Sequence, residues 1–256
     1  MSGKPEVRVT VESVLSRHPV ALSEIPLQID RDEVLRFQGY KKGIDLPSED
    51  VLALYDAALA EGESLMRPRV VYGAAPVAAQ ADHLIRLSDE TELRIPEIRR
   101  FWGRIEAVGI GICTIGDALE ERSRRLFESR DFPLAVMLDS VGSAAVECLA
   151  EWANDYLCQV AIAEGLKVTN RISPGYAGWP VEEQRLLFRV CPGALGGVSL
   201  NDSCLMIPLK SISFLVGIGP EARVDHYFAQ CRRCWMADCA YRRARADRTV
   251  QRPPSR

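Results

Sequence analysis

Histidine is scarce in this chain: His18, His83 and His226 are the only three among 256 residues. None stands in a recognisable catalytic motif, and no nucleophile is paired with a base. The sequence therefore does not point to self-sufficient acid–base or covalent catalysis. A charge excess is lacking too. With 32 Lys and Arg against 35 Asp and Glu, the net charge of −3 calls for no electrostatic partner. No run approaches the roughly eighteen apolar residues of a membrane-spanning helix. The opening Met1-Ser2-Gly3-Lys4-Pro5-Glu6 has no apolar stretch of a secretion signal. These absences predict a cytosolic protein that does not cross a membrane.

What is present suffices for a core. The apolar fraction is 47%, and this length makes one domain or two small ones. Arg31 to Gln38 reads as a short helix and Ser48 to Glu63 as a longer one, with Ser48 as cap and Val51, Leu54, Ala58 and Leu65 as its apolar stripe. Residues 1–23 read as an irregular arm or an added strand. Arg69 to Tyr72, His83 to Leu87 and Arg104 to Cys113 read as strands. Gly109-Ile110-Gly111-Ile112-Cys113-Thr114 invites a dinucleotide-binding reading, but threonine stands where the third glycine belongs. Thr114-x-x-Asp117 reads instead as a capping box opening a helix over 116–129.

Asp139 to Ala163 is the clearest helix. Leu138, Val141, Ala145, Leu149, Trp152, Tyr156 and Val160 recur at steps of three and four as a buried stripe. Ser143, Glu147, Glu151 and Asp155 run along another face, where Glu151 and Asp155 read as solvated. A helix over 181–190 starts behind Pro180, and strands follow at 196–200, 204–207 and 212–218. Helices and strands come in clusters without strict alternation. The expected class is α+β, a twisted, largely antiparallel sheet with flanking helices that include one long central helix.

Eight cysteines are many for a reducing compartment. Cys113, Cys148, Cys158, Cys191 and Cys204 each sit among apolar residues and read as buried hydrophobes. Cys231-x2-Cys234-x4-Cys239 is a bunch that suggests metal more than disulfides. With His226 four residues before Cys231 it would make a zinc site. With Cys204 or an outside ligand it would make an iron–sulfur cluster. The bland alternative is three reduced cysteines packed under Trp235. Eight arginines lie between Arg232 and Arg256. They read as a solvated end or a contact for an acidic partner before they read as a nucleic-acid contact. The Pro253-Pro254 ending reads as disordered. The expected division is an α+β domain over 1–220 and a cysteine- and arginine-rich extension over 221–256.

Arg171-Ile172-Ser173-Pro174-Gly175-Tyr176 places a fixed cation, free backbone groups and an aromatic face at one corner. Pro-Gly sets the turn, but a turn needs neither the arginine nor the tyrosine. Such a set suits a ligand with a carboxylate at one end and a flat ring at the other. Alone, it is also compatible with a plain surface turn. Followed by Trp179-Pro180-Val181-Glu182-Glu183-Gln184, Leu200-Asn201-Asp202-Ser203-Cys204-Leu205-Met206-Ile207-Pro208 and Ser211-Ile212-Ser213, it resembles the activation domain of cobalamin-dependent methionine synthase. The likeness is strongest over 139–219, as in a short, stand-alone member of that family.

In that family an Arg-x-x-x-Gly-Tyr turn binds S-adenosylmethionine (AdoMet), and a Thr-Glu-Ser-x-x-Met-x-Pro segment follows it. The resemblance implies that Arg171 clamps the AdoMet carboxylate. It implies that Tyr176 stacks on the adenine or bonds the ligand through its hydroxyl. The backbone around Ser173 and Gly175 would read the adenine edge. Glu147, in Val146-Glu147-Cys148-Leu149-Ala150-Glu151, would balance positive charge on the ligand. Ile29-Asp30 matches the start of the family's Ile-Asp-Trp-Thr-Pro segment, whose aspartate meets the ammonium group, but Arg31-Asp32-Glu33 follows it here. Asp30 is equally read as a helix N-cap.

The implied partner is a cobalamin-dependent methionine synthase or another corrinoid methyltransferase, whose cobalamin is the nucleophile, together with a low-potential electron donor. The chain would then be a methyltransferase component more than a self-sufficient enzyme. Two other readings stay open: a corrinoid docking or electron-transfer factor without AdoMet, and a metal-stabilised interaction module. The family departures are Tyr176-Ala177-Gly178-Trp179-Pro180 in place of a Tyr-Pro-Ala-Cys-Pro run, and a divergent course after Pro220 that lacks the family's late tyrosine.

Overall fold

Two strands carry the centre of the structure because nearly every residue in them is apolar or small. They are Ala107–Thr114 and Ser211–Gly219, buried on both faces and paired antiparallel over eight successive positions. The computed structural model describes residues 11–176 and 178–225. In chain order the elements are β1 (Val20–Ser23), α1 (Arg31–Phe37), α2 (Glu49–Leu65), β2 (Arg69–Ala81), β3 (Leu84–Leu87), β4 (Glu92–Leu93), α3 (Ile98–Trp102), β5 (Ala107–Thr114), α4 (Ala118–Glu128), α5 (Phe132–Ala163), β6 (Lys167–Val168), α6 (Gln184–Val190), β7 (Ser199–Leu200), β8 (Met206–Ile207) and β9 (Ser211–Gly219). The main sheet runs β4-β3-β2-β5-β9-β6, with β1 added beside the first part of β2. Every pairing in it is antiparallel. The expected α+β class is what the structure has.

Alternation along the strands builds two cores. Val70, Tyr72, Cys113, Phe214, Val216 and Ile218 share one core with residues of α1, α2, α4 and α5. Val71, Ile110, Ile112 and Leu215 share the other with residues of α3, α6 and the loops around them. A period of two does this on its own, since successive side chains leave opposite faces. The glycines of Gly109-Ile110-Gly111 belong to the side that carries the long helices. A Cβ on Gly111 would sit 2.1 Å from Phe214 Cζ, and one on Gly109 would sit 2.7 Å from the Tyr72 hydroxyl. The Gly-x-Gly pattern therefore seats two aromatic rings under the helices, and no phosphate loop is made of it.

α5 is the floor of the helical layer. It starts at Phe132, earlier than expected, because Pro133 suits a first turn. Leu138, Val141, Ala145 and Leu149 are fully buried, while Trp152 and Tyr156 are half-buried and stacked at 5.1 Å. By length and composition α5 is the one helix among the described residues able to span a bilayer. Its apolar side is occupied by sheet and neighbouring helices, as in a core helix.

Three expectations need correction. The capping box at Thr114 and Asp117 does not form. Asp117 makes no side-chain cap, and Thr114 Oγ1 accepts from the Gly116 N–H at 3.1 Å. A short polar side chain beside a strand end finds the nearer local turn first. The strand expected at Arg69–Tyr72 continues to Ala81, with a register shift between Val77 and Ala79. Cys148 and Cys158 are only partly buried, unlike Cys113, Cys191 and Cys204.

Residues beyond 220 stay fastened to this unit as far as they are described. Arg223 N–H donates to Trp102 O at 2.8 Å, and Asp225 N–H to Asn170 Oδ1 at 3.1 Å. The ring of Phe214 depends on the missing Cβ at residue 111. We expect Gly111→Ala to cost about 1–3 kcal/mol by overpacking, with Phe214→Leu in the same chain recovering part of it. Urea unfolding of the single and double variants measures both.

Candidate ligand site at the sheet edge

β6 and the residues after it continue as an edge along β9. Thr169 N–H donates to Gly217 O at 2.9 Å, and Ile172 exchanges two bonds with Leu215 at 2.9 and 2.8 Å. Arg171, between them, sends its side chain across to α5. Its Nη2 lies 2.7 Å from Glu147 Oε2, with the two side chains 21% and 28% exposed. The structure thus brings together two residues 24 apart in sequence that the family resemblance had named as one site. The buried Cys113 thiol lies within the influence of both. Burial pushes it up to about 12, Arg171 opposes that shift and Glu147 adds to it.

The turn after Arg171 is closed by its own backbone. Gly175, at φ +94°, donates to Trp179 O at 2.8 Å; Tyr176 N–H donates to Ser173 O at 3.3 Å and Trp179 N–H to Tyr176 O at 2.9 Å. Trp179 is buried, and its indole N–H donates to Glu183 Oε2 at 2.7 Å. Tyr176 is 46% exposed on the outside of this turn. Of the backbone around Ser173 and Gly175, the Gly175 N–H and the Ser173 C=O are engaged within the turn.

The segment matching the family's Thr-Glu-Ser-x-x-Met-x-Pro stretch lies on the other flank. Asn201 Oδ1 accepts from Ser203 and Leu205 N–H at 3.0 and 2.9 Å and shapes its bend. Gln184 is buried. It donates to Cys204 O at 2.7 Å and accepts from Ser213 Oγ at 2.9 Å, joining α6, this segment and β9. Lys210 follows. Its Nζ is 2.8 Å from Ser143 Oγ and 2.8 Å from Asp139 Oδ1, one and two turns of α5 before Glu147. α5 therefore carries two cation contacts on one face, at Ser143 and Glu147. Glu151 and Asp155, further along that line, are exposed as expected.

The other expected residues divide clearly. Asp30 caps α1, accepting from Asp32 N–H at 2.8 Å. The Cys148 thiol donates to Gln28 O at 3.4 Å, so the segment before α1 rests on α5 next to Glu147. His226, Cys231, Cys234 and Cys239 lie outside the described residues. Among the described residues no three His, Cys, Asp or Glu side chains cluster as a metal site. Two cavities are found elsewhere. One of about 250 Å³ is lined by Gln80, Arg99 and Arg104, and one of about 620 Å³ by Leu186, Phe188 and Leu200. Neither is lined by Arg171, Glu147 or Tyr176.

Trp179, Gln184 and Lys210 hold the site's surroundings in place; the sequence showed Trp179 and Gln184 only as parts of a family-like stretch and gave Lys210 no role. A buried tryptophan after a turn and a lone glutamine at a helix start carry no spacing signal of their own.

No protein-family model matches this chain, and no curated protein matches it. Among solved structures, the crystal structure of the MetH reactivation domain bound to AdoHcy is similar, with a TM-score of 0.60 and 16% identity over 87% of this chain and 84% of that one. At that identity the likeness is one of fold. The chain has the α+β fold of that reactivation domain, built here from the twisted antiparallel sheet and the long central helix.

The Arg171–Glu147 pair is a direct contact across two layers. In the ligand-free protein we expect a coupling of about 1–2 kcal/mol between Arg171→Ala and Glu147→Ala. A double-mutant cycle in urea measures it, and additive effects would mean the two side chains do not support each other.

Proposed function

We propose that this chain binds AdoMet at the Arg171–Tyr176 turn and serves to reactivate a cobalamin-dependent methyltransferase, with methionine synthase as the first candidate. The observation that carries the reading is the Arg171–Glu147 pair, 2.7 Å apart at the edge of β9. It is supported by a fold shared with a reactivation domain bound to AdoHcy. A guanidinium and a carboxylate held side by side match the opposite charges of an amino-acid head group. The ligand carboxylate would take the planar fork of Arg171. The ligand ammonium would take Glu147, so one internal pair is replaced by two. Tyr176, exposed at the turn, would cover the ring end. Asp30 enters only through the family resemblance, as a second partner for the ammonium.

The residues on hand fit a positioning role. None of those named at the site pairs a nucleophile with a base, and the buried Cys113 thiol is held protonated by its surroundings. When bound, AdoMet supplies a sulfonium methyl group, which a partner's one-electron-reduced cobalamin would accept. The chain's contribution is to hold the donor in one orientation and exclude water around it. The cysteines 231, 234 and 239, with His226, are proposed as a metal site, iron–sulfur or zinc. Metal and sulfide analysis of anaerobically purified protein separates these from no metal.

A second reading has one observation in its favour: Arg171 is already paired with Glu147, and the Gly175 N–H and Ser173 C=O are engaged within their own turn. In it the fold persists as a docking or electron-transfer module for a corrinoid protein and AdoMet is not bound.

Calorimetry on the full chain decides between the two. The expected result is saturable AdoMet and AdoHcy binding, weakened at least about tenfold by Arg171→Ala, as loss of a charge-assisted bond requires. No binding by folded protein would favour the docking reading.

A further inference from the structure

A cavity opens beside the one irregular stretch of β2. The register with β3 shifts between Val77 and Ala79, and a bulge of this kind bends the strand that carries it. The surrounding backbone is firmly held. The Gln80 amide donates to Gly103 O at 2.9 Å and accepts from the Ile105 N–H at 3.2 Å. Glu106 donates its N–H to Ile218 O at 2.8 Å and takes the Val77 N–H on its own C=O at 2.9 Å. α3 is seated by Ile98 and Trp102, both buried. Between these segments lies the cavity of about 250 Å³, lined by Gln80, Arg99, Arg104 and Glu106 among others, and not by Arg171.

The charged side chains around it are under-used. Arg99 Nη1 donates to Gln80 O at 3.2 Å, and Arg99 meets no carboxylate among the described residues. Arg104 reaches Glu221 only at 3.7 Å, with the two side chains 67% and 66% exposed, so that pair is weak. The Glu106 side chain has no hydrogen bond or ion pair among the described residues. The neighbouring arginines are occupied: Arg100 pairs with Glu97 at 2.9 Å, and Arg223 donates to Arg100 O at 2.9 Å. Two guanidiniums and one carboxylate thus line one small cavity with most of their hydrogen-bonding capacity unused.

We propose that this cavity binds hydrogen phosphate, at a site independent of the AdoMet reading. Two guanidinium forks match the oxygens and the charge of a phosphate. The carboxylate sets the selectivity. An ionised carboxylate only accepts hydrogen bonds, so Glu106 opposes an oxyanion that has nothing to donate, such as sulfate. Hydrogen phosphate keeps one O–H at neutral pH. That hydroxyl donates to Glu106 while the other oxygens accept from Arg99 and Arg104. A singly protonated phosphomonoester presents the same set of groups, so the free ion and a monoester are two sources of one chemistry.

The test is calorimetry on the full chain at neutral pH with inorganic phosphate, sulfate and glycerol phosphate. Phosphate should bind saturably and at least about tenfold more tightly than sulfate, the difference that one charge-assisted hydrogen bond supplies. Arg99→Ala and Arg104→Ala should each weaken phosphate at least about tenfold, while Arg171→Ala leaves it unchanged. Glu106→Gln should narrow the gap between phosphate and sulfate to less than about threefold, because a carboxamide also donates. Whichever of inorganic phosphate and glycerol phosphate binds more tightly identifies the source, and either result supports the site. Equal binding of phosphate and sulfate by the native chain, affinity indifferent to the Arg99 and Arg104 substitutions, or no saturable binding at millimolar phosphate overturns the proposal. AdoHcy binding is untouched by any of these outcomes.

Discussion

Arg171 and Glu147 meet where the sheet edge passes under the long helix, and that contact organises the site around it. Glu147 sits on the face of α5 that also meets Lys210, so α5 takes a cation from each end of the β9 edge. Both glutamate and arginine are only partly covered. A pair in that position is tight enough to hold the edge closed without a ligand. It also remains wet enough for an incoming zwitterion to compete, since partly exposed pairs are stabilised less than their distance suggests. Under the proposed function, recognition and closure would be one device.

The sheet makes this possible by accepting bulky rings against its own backbone. Gly109 and Gly111 leave room for the Tyr72 hydroxyl and the Phe214 ring. On α5, Gly142 leaves room for Leu119 of α4, which a Cβ there would approach within 2.7 Å. Cys113, near the end of the same strand, is small and stays protonated close to the ion pair. The chain tolerates glycine in a central strand because the aromatic rings provide the packing that the glycines lack.

Much of this was legible beforehand. Ser48 caps α2 as its position implied, the 139–163 stripe faces the core, and Glu147 of the Val146-to-Glu151 stretch stands beside Arg171. The first two features depend on local chemistry or a fixed period, and the third on a family resemblance. The misreadings share a different cause. Thr114 and Asp117 have a capping-box spacing, yet the neighbouring Gly116 offers Thr114 a nearer donor. Trp179 looked like a departure from a family pattern, while in space it anchors the turn through Glu183. Pairing between distant segments decides such features, and no window of sequence contains it.

Under the proposed function Arg171 exchanges its partner when a ligand arrives. A crystal structure of the full chain with AdoHcy tests this most directly. The guanidinium should have left Glu147 for the ligand carboxylate, with Glu147 on the ammonium and the base beside Tyr176. An intact Arg171–Glu147 pair, with AdoHcy bound elsewhere, would contradict the account.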